Sequence, residues 1–175
     1  KIFLGDYSQV GLSNKPFRHA CIEKTLLALP PGIKLLDAGA GEQQFKKYCT
    51  HLQYTAQDFA EYDGKGDGKG IQTEKWDTSK LDIISDIRSM PVESGSFDVV
   101  LCTEVLEHVP YPWDAIKEMV RVLKPRGKLI ITAPFASLTH FAPYHFCTGF
   151  NHYFYEYWLK EFTCEILEMK ANGNY

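Results

Sequence analysis

No run of apolar residues approaches the roughly 18–20 that a membrane-spanning helix needs, so no span is expected. There is no long basic block either. With 19 Lys and Arg against 22 Asp and Glu, the net charge is −3. That balance argues against a general nucleic-acid binder. The five cysteines (Cys21, Cys49, Cys102, Cys147 and Cys164) show no paired spacing. This speaks against a disulfide scaffold or a zinc knuckle and fits a reducing, cytoplasmic setting. No signal peptide is visible, but the chain opens at Lys1 rather than Met, so a missing leader carries little weight. Internal repeats are absent, and the one low-complexity tract is the glycine-rich stretch 64–70.

What is present is enough apolar sequence in 175 residues for one domain with a real core. The chain is organised around Lys34-Leu35-Leu36-Asp37-Ala38-Gly39-Ala40-Gly41-Glu42. An apolar run ends in an acid, two glycines follow, and a helix-compatible segment begins. A strand, a tight glycine turn and a helix start form the usual receptor for a nucleotide-like ligand in an α/β sheet. The plainer reading is a tight turn at a strand end. The lettering fits neither of two common cofactors. A dinucleotide fingerprint asks for a very small residue where Gln44 stands, and a P-loop asks for Gly-Lys-Ser/Thr.

Apolar runs predict further strands over 52–57, 81–85, 97–102, 128–133 and 164–169. Ile22, Leu26 and Leu29 stripe a first helix, which Ser13 or Asn14 can cap. Trp113, Ile116, Val120 and Leu123 stripe a second helix, opened by Pro112. Phe154, Trp158 and Phe162 face inward from a third over 152–162. Asp58 ends the second strand 17 residues past Gly41, well placed for two ribose hydroxyls. The glycine-rich stretch 64–70 reads as an inserted loop, free to move near the site. The expected fold is α/β: a doubly wound, mostly parallel, Rossmann-like sheet flanked by helices, ending before the last antiparallel strand. Residues 1–32 read as an N-terminal arm and helix, and 33–175 as the ligand-binding domain.

The glycine turn, Asp58, Ser85-Asp86-Ile87 with Met90-Pro91, Phe97-Asp98-Val99-Val100, Glu104-Val105-Leu106-Glu107-His108-Val109 and Val122-Leu123-Lys124-Pro125-Arg126-Gly127 together resemble a known family. It is the class I S-adenosylmethionine-dependent methyltransferases, in their small-molecule, type 11-like subgroup. The resemblance covers about 33–169, and Gln43 stands where the family often has a third glycine. It implies S-adenosyl-L-methionine as cofactor and a small-molecule methyl acceptor. Residue by residue, it implies that Asp37 orders the turn and receives the ligand's ammonium group. Gly39 and Gly41 lie against the methionine and ribose, and Asp58 binds the ribose hydroxyls. Asp86 accepts from the adenine amino group and Ile87 packs on the ring. Thr103 and Glu104 line the floor near the sulfonium, and Arg18 meets the carboxylate. Replacing Asp58 by Ala is then expected to weaken cofactor binding and leave the fold nearly intact.

Methyl transfer is in-line displacement from a charged sulfur, so the protein mainly sets geometry. An acceptor hydroxyl or carbon acid also needs a proton acceptor. His108, His140 and His145 are the candidates. No metal is expected, because His140, His145 and His152 are spaced by five and seven residues, which matches no compact ligand pattern. The aromatic stretch after the fifth strand reads as a pocket wall, a hydrophobic cover or a homodimer contact. Two rival readings remain open: a non-catalytic cofactor-binding or regulatory domain, and an NAD-dependent or nucleotide-sugar oxidoreductase.

Overall fold

The computed structural model describes residues 14–73 and 75–171. Five strands form one parallel sheet: β1 (Lys34–Ala38), β2 (Gln53–Asp58), β3 (Ile83–Ile84), β4 (Phe97–Thr103) and β5 (Leu123–Thr132). Their order is β3-β2-β1-β4-β5. Three helices flank it: α1 (Asn14–Leu27), α2 (Pro112–Val122) and α3 (His152–Glu161). Two faces of apolar side chains follow from the strand period of two. Leu35, Val99 and Leu101 meet Ile22 and Leu26 of α1. Leu36, Ala38, Val100 and Cys102 meet Ala115, Ile116 and Met119 of α2, with Phe154 and Trp158 of α3 packed behind. The Rossmann-like expectation therefore holds. None of the described helices is long and apolar enough to cross a membrane.

Sheet order sets where a ligand can sit. Moving out from the centre, β2 and β3 lie on one side of β1, and β4 and β5 on the other. The connections diverge between β1 and β4, and a crevice opens there at the carboxyl ends of the strands. Gly39 stands at its edge.

Four local expectations change. The glycine turn does not lead into an α-helix. Gln43 sits at φ 57°, and a single 3₁₀ turn, Lys46–Tyr48, follows. A non-glycine residue in the left-handed region cannot continue a right-handed helix. Side-chain bonds help hold Gln43 there: its amide donates to the Lys80 carbonyl at 2.8 Å, and its oxygen accepts from Lys46 Nζ at 2.8 Å. The buried face of α2 is Pro112, Ala115, Ile116, Met119 and Val122, one position off the expected stripe. Of the expected stripe, Ile116 is buried, Val120 packs half-buried against the same core, and Leu123 lies past the helix end, paired with Phe97 in the sheet. Residues 164–169 form no strand, as no ladder partner meets them among the described residues, and Leu167 is 75% exposed. The remainder of α3 behaves as expected, capped by Asn151, whose side chain accepts from the Phe154 amide at 3.1 Å. Residues 1–13, with the Ser13 cap, lie outside the described residues.

The glycine-rich loop is the fourth change. It is docked against the segment after β5. The Asp67 amide donates to the Ala142 carbonyl at 3.0 Å, the Ile71 amide to Thr139 at 3.1 Å, and the Phe141 amide to Ile71 at 3.0 Å. Gly66 makes this approach feasible: at φ +51°, a Cβ there would lie 1.9 Å from the Ala142 oxygen. Gly66→Ala is expected to undock the loop. Hydrogen exchange of the Asp67 and Ile71 amides should quicken roughly tenfold or more, with β4 unchanged. Unaltered exchange at both amides would show that the contact carries no weight.

Candidate functional site

A cavity of about 470 Å³ opens at the carboxyl ends of β1, β2 and β4 and the segment after β3. Gly39 and Asp58 form one wall, Asp86 and Ile87 a second, and Glu104 and His108 a third. Tyr62 and Trp76, on either side of the docked loop, and Phe141 of the segment after β5 close over it. Tyr62 and Phe141 stack at 4.8 Å, and Trp76 meets both edge-on at 5.0 and 5.4 Å. This volume is in the range of small-molecule sites, as is the mix of a few polar groups with aromatic and apolar walls.

The glycine turn is fastened from β2. The Gly39 and Ala40 amides both donate to the Gln57 carbonyl, at 2.9 and 2.8 Å. The Gly41 amide donates to Asp58 Oδ2 at 2.9 Å, and the Ala60 amide to Oδ1 at 3.0 Å. Asp58 is only 5% exposed, yet each oxygen keeps a further lone pair for a ligand. It is thus both a wall of the cavity and the pin of the turn. Gly39 must be glycine: at φ +75°, a Cβ would sit 2.4 Å from a Val105 methyl. At Gly41 the nearest atoms to a Cβ would be those of the Trp76 ring, at 3.1 Å.

Asp37 lies beneath the turn and does not line the cavity. It is 2% exposed and accepts from the Tyr54 hydroxyl at 2.6 Å. Burial pushes its carboxyl up to about 7; the Tyr54 bond opposes this, and the Asp58 charge adds to it. Gly41 and the buried Thr103 also stand outside the walls. Asp86 lines the cavity but is gripped by Arg88, whose Nε donates to both carboxylate oxygens at 3.0 Å. That bond holds Asp86 below the usual carboxylate range. Ile87 presents a buried apolar side chain. Arg18 is drawn to Glu104 instead of standing free for a carboxylate: the pair is 3.1 Å apart.

The three candidate histidines converge. His108 stacks on Phe141 at 5.0 Å, and its ring is 4.7 Å from His140 and 6.0 Å from His145. Among them only His108 lines the cavity. Its Nδ1 lies 2.5 Å from the Tyr144 carbonyl. A carbonyl only accepts, so Nδ1 carries the proton and Nε2 presents a bare lone pair. Burial lowers the His108 pKa to about 4, with His140 and His145 contributing and the Tyr144 bond opposing. A base that weak takes a proton poorly at neutral pH. Beside it Glu107 is 1% exposed, and burial raises its carboxyl to about 8. The importance of Glu107 was not visible in the sequence, where it reads only as an acidic neighbour of His108. Nor were Tyr54, Trp76 and Arg88 marked by any motif.

Residues 36–131 match the model of a family described as a methyltransferase domain. Over 104 residues the chain is 34% identical to a ubiquinone biosynthesis O-methyltransferase of Xanthomonas oryzae pv. oryzae, covering 58% of this chain and 43% of that protein. The chain thus spans about two fifths of the length of that curated relative. Among solved structures, a methyltransferase-like protein of Bacillus halodurans superposes with a TM-score of 0.61 at 19% identity. The match covers 82% of this chain and 68% of that one and shows a shared fold. The [4+2]-cyclase SpnF superposes at 0.50 with 25% identity, over 66% of this chain and 44% of that one.

Proposed function

Because the chain belongs to the methyltransferase domain family, we propose that it transfers a methyl group from S-adenosylmethionine to a small-molecule acceptor. The observation that carries this reading is the cavity at the β1–β4 switch point, with Asp58 buried in its wall and lone pairs to spare. The donor supplies an activated methyl on a cationic sulfur. The remaining work falls to the chain. Asp58 accepts the ribose hydroxyls, and Ile87 packs on the adenine, with Asp86 beside it for the amino group. Gly39 gives backbone access at the methionine end. Glu104, with its charge shared by Arg18, places a carboxylate near the sulfonium. Asp37 and Thr103 support the turn and the strand end from below. Tyr62, Trp76 and Phe141 exclude water from above.

Residues 33–175 form the cofactor-binding unit in this reading, and α1 is built into the same core. The acceptor is a hydroxyl. One support favours oxygen: the Xanthomonas relative is named for O-methylation. The SpnF likeness keeps a second outcome in view, since one fold hosts several chemistries. Calorimetric titration with S-adenosylhomocysteine, with NAD as control, tests the cofactor. Micromolar binding without an NAD response is expected. NAD-selective binding would return the oxidoreductase reading. Binding without any acceptor gaining a methyl group by mass would favour the non-catalytic one.

A further inference from the structure

Glu107, His108 and His140 come from two segments far apart in sequence, yet their ligand atoms all lie within 4.8 Å of one another. Glu107 Oε1 is 3.8 Å from His108 Nε2 and 3.9 Å from His140 Nε2. Both imidazoles are oriented alike. His108 gives its Nδ1–H to the Tyr144 carbonyl, and His140 Nδ1 lies 2.8 Å from the Leu138 carbonyl. Each Nε2 therefore turns a lone pair toward the same carboxylate. Backbone carbonyls fixing the far nitrogen are the usual outer support of metal-bound histidines.

Two atoms of this cluster are buried with no hydrogen-bond partner: Glu107 Oε2 and His108 Nε2. Buried polar groups are rarely left so, and an orphaned carboxylate oxygen is among the more costly kinds. The Glu107 side chain is 1% exposed, so bulk solvent does not reach it. The backbone fixes the arrangement. The Phe146 and Cys147 amides both donate to the Glu107 carbonyl, at 2.9 and 3.1 Å, tying the segment after β5 to the turn that carries Glu107 and His108.

We propose that Glu107, His108 and His140 form a binding site for a divalent cation of the zinc class. Two imidazoles and one carboxylate are a donor set for Zn²⁺ and similar first-row ions, not for Mg²⁺ or Ca²⁺, which prefer all-oxygen shells. Three ligands at about 2.1 Å from one ion lie roughly 3.4 Å apart in tetrahedral geometry, so atoms that now lie 3.8 Å to at most 4.8 Å apart need to close by about 0.4–1.4 Å. His145 sits behind, its ring 4.9 Å from that of His140 and its Nε2 3.2 Å from Ser137 Oγ. Because His108 lines the cavity, the ion sits at the cavity wall, with its fourth position left for an oxygen donor. The site stands on its own geometry; only a role in binding the acceptor hydroxyl rests on the methyl-transfer reading. No acid near His140, His145 and His152 in sequence completes a ligand set; the fold brings Glu107 to His140 from a distant segment.

The test is Zn²⁺ titration of the chelator-treated chain by calorimetry, with bound metal measured after gel filtration. One ion per chain is expected. Glu107→Gln and His140→Ala should each weaken binding roughly 100-fold or more, with His152→Ala unchanged. No stoichiometric binding, or binding that survives both substitutions, overturns the site. Should the variants fail to fold, Co²⁺ bound to the unaltered chain decides. Visible d–d bands without a thiolate charge-transfer band support the site, and a thiolate band places the ion on cysteine and overturns it. S-adenosylhomocysteine titrated into the same metal-free protein separates this result from the cofactor reading.

Discussion

Asp58→Ala is expected to lower both cofactor affinity and the stability of the empty protein. On affinity, the variant removes the charged acceptor for the ribose hydroxyls, a loss of about 1–3 kcal/mol, or roughly 5- to 150-fold in Kd. On stability, it strands the Gly41 amide, which is buried against Oδ2, and frees the Ala60 amide from Oδ1. An orphaned buried donor costs about 1–3 kcal/mol. This second effect corrects the expectation that the fold would stay nearly intact. Sequence places Asp58 at a strand end facing a ligand; it gives no sign that the same carboxylate pins the glycine turn. Asp58→Asn separates the two roles. It keeps one acceptor oxygen and turns an NH₂ toward the other amide, so it should fall between wild type and Ala in a denaturant melt while losing most of the ribose contact. Unchanged affinity for S-adenosylhomocysteine in a folded Asp58→Ala protein would remove Asp58 from the cofactor site. An unchanged melt would show that the turn does not depend on it.

The same division between strand logic and tertiary contact runs through the chain. β1 and β4 were legible because short apolar runs bounded by turns leave few alternatives, and alternate residues point to opposite faces. Asp86 and Ile87 were legible as positions, since both follow a short strand and both reach the cavity. Arg88 was not, because a neighbour's side chain competing for a binding carboxylate leaves no periodic signal. Gln43 hid the loss of the helix: its local propensity is helical, and only side-chain bonds to Lys80 and Lys46 offset its left-handed backbone. The histidine cluster was half legible. His108, His140 and His145 were marked as residues, but their meeting depends on the 134–151 segment folding back onto the Glu107 carbonyl. No spacing rule encodes that contact. The loop 64–70 gives the same lesson: repeated glycine suggested freedom, whereas Gly66 and Gly70 are the places where the loop backbone approaches the segment after β5 too closely for a side chain.

Asp37→Asn is expected to act in the opposite direction on stability, with a dependence on pH that identifies the cause. The carboxyl has an ordinary pKa of 3.8 and is pushed up to about 7 in the folded protein, mainly by burial. Below 3.8 it is protonated folded and unfolded, and its burial carries no charge. Between 3.8 and about 7 the unfolded chain releases the proton that the folded chain keeps, so stability falls as pH rises. Above 7 both states are ionised and the whole penalty stands, at most about 4 kcal/mol for a shift of this size. Asparagine is neutral throughout and retains an oxygen for the Tyr54 hydroxyl. The variant should therefore match wild type near pH 3.5 and exceed it by about 2–4 kcal/mol at pH 8. Glu107, raised from 4.5 to about 8, contributes a slope of the same sign, and that slope persists in the variant. Cofactor binding should move the other way. In the proposed reading, the donor's cationic ammonium acts on Asp37 through the glycine turn and favours the carboxylate, so the acid that strains the empty fold is relieved by the ligand, and asparagine forfeits that relief. Melts at the two pH values with and without S-adenosylhomocysteine measure both effects. Equal stability of the two proteins at pH 8 would mean that Asp37 ionises without penalty. Equal stabilisation by the ligand would take Asp37 out of its binding.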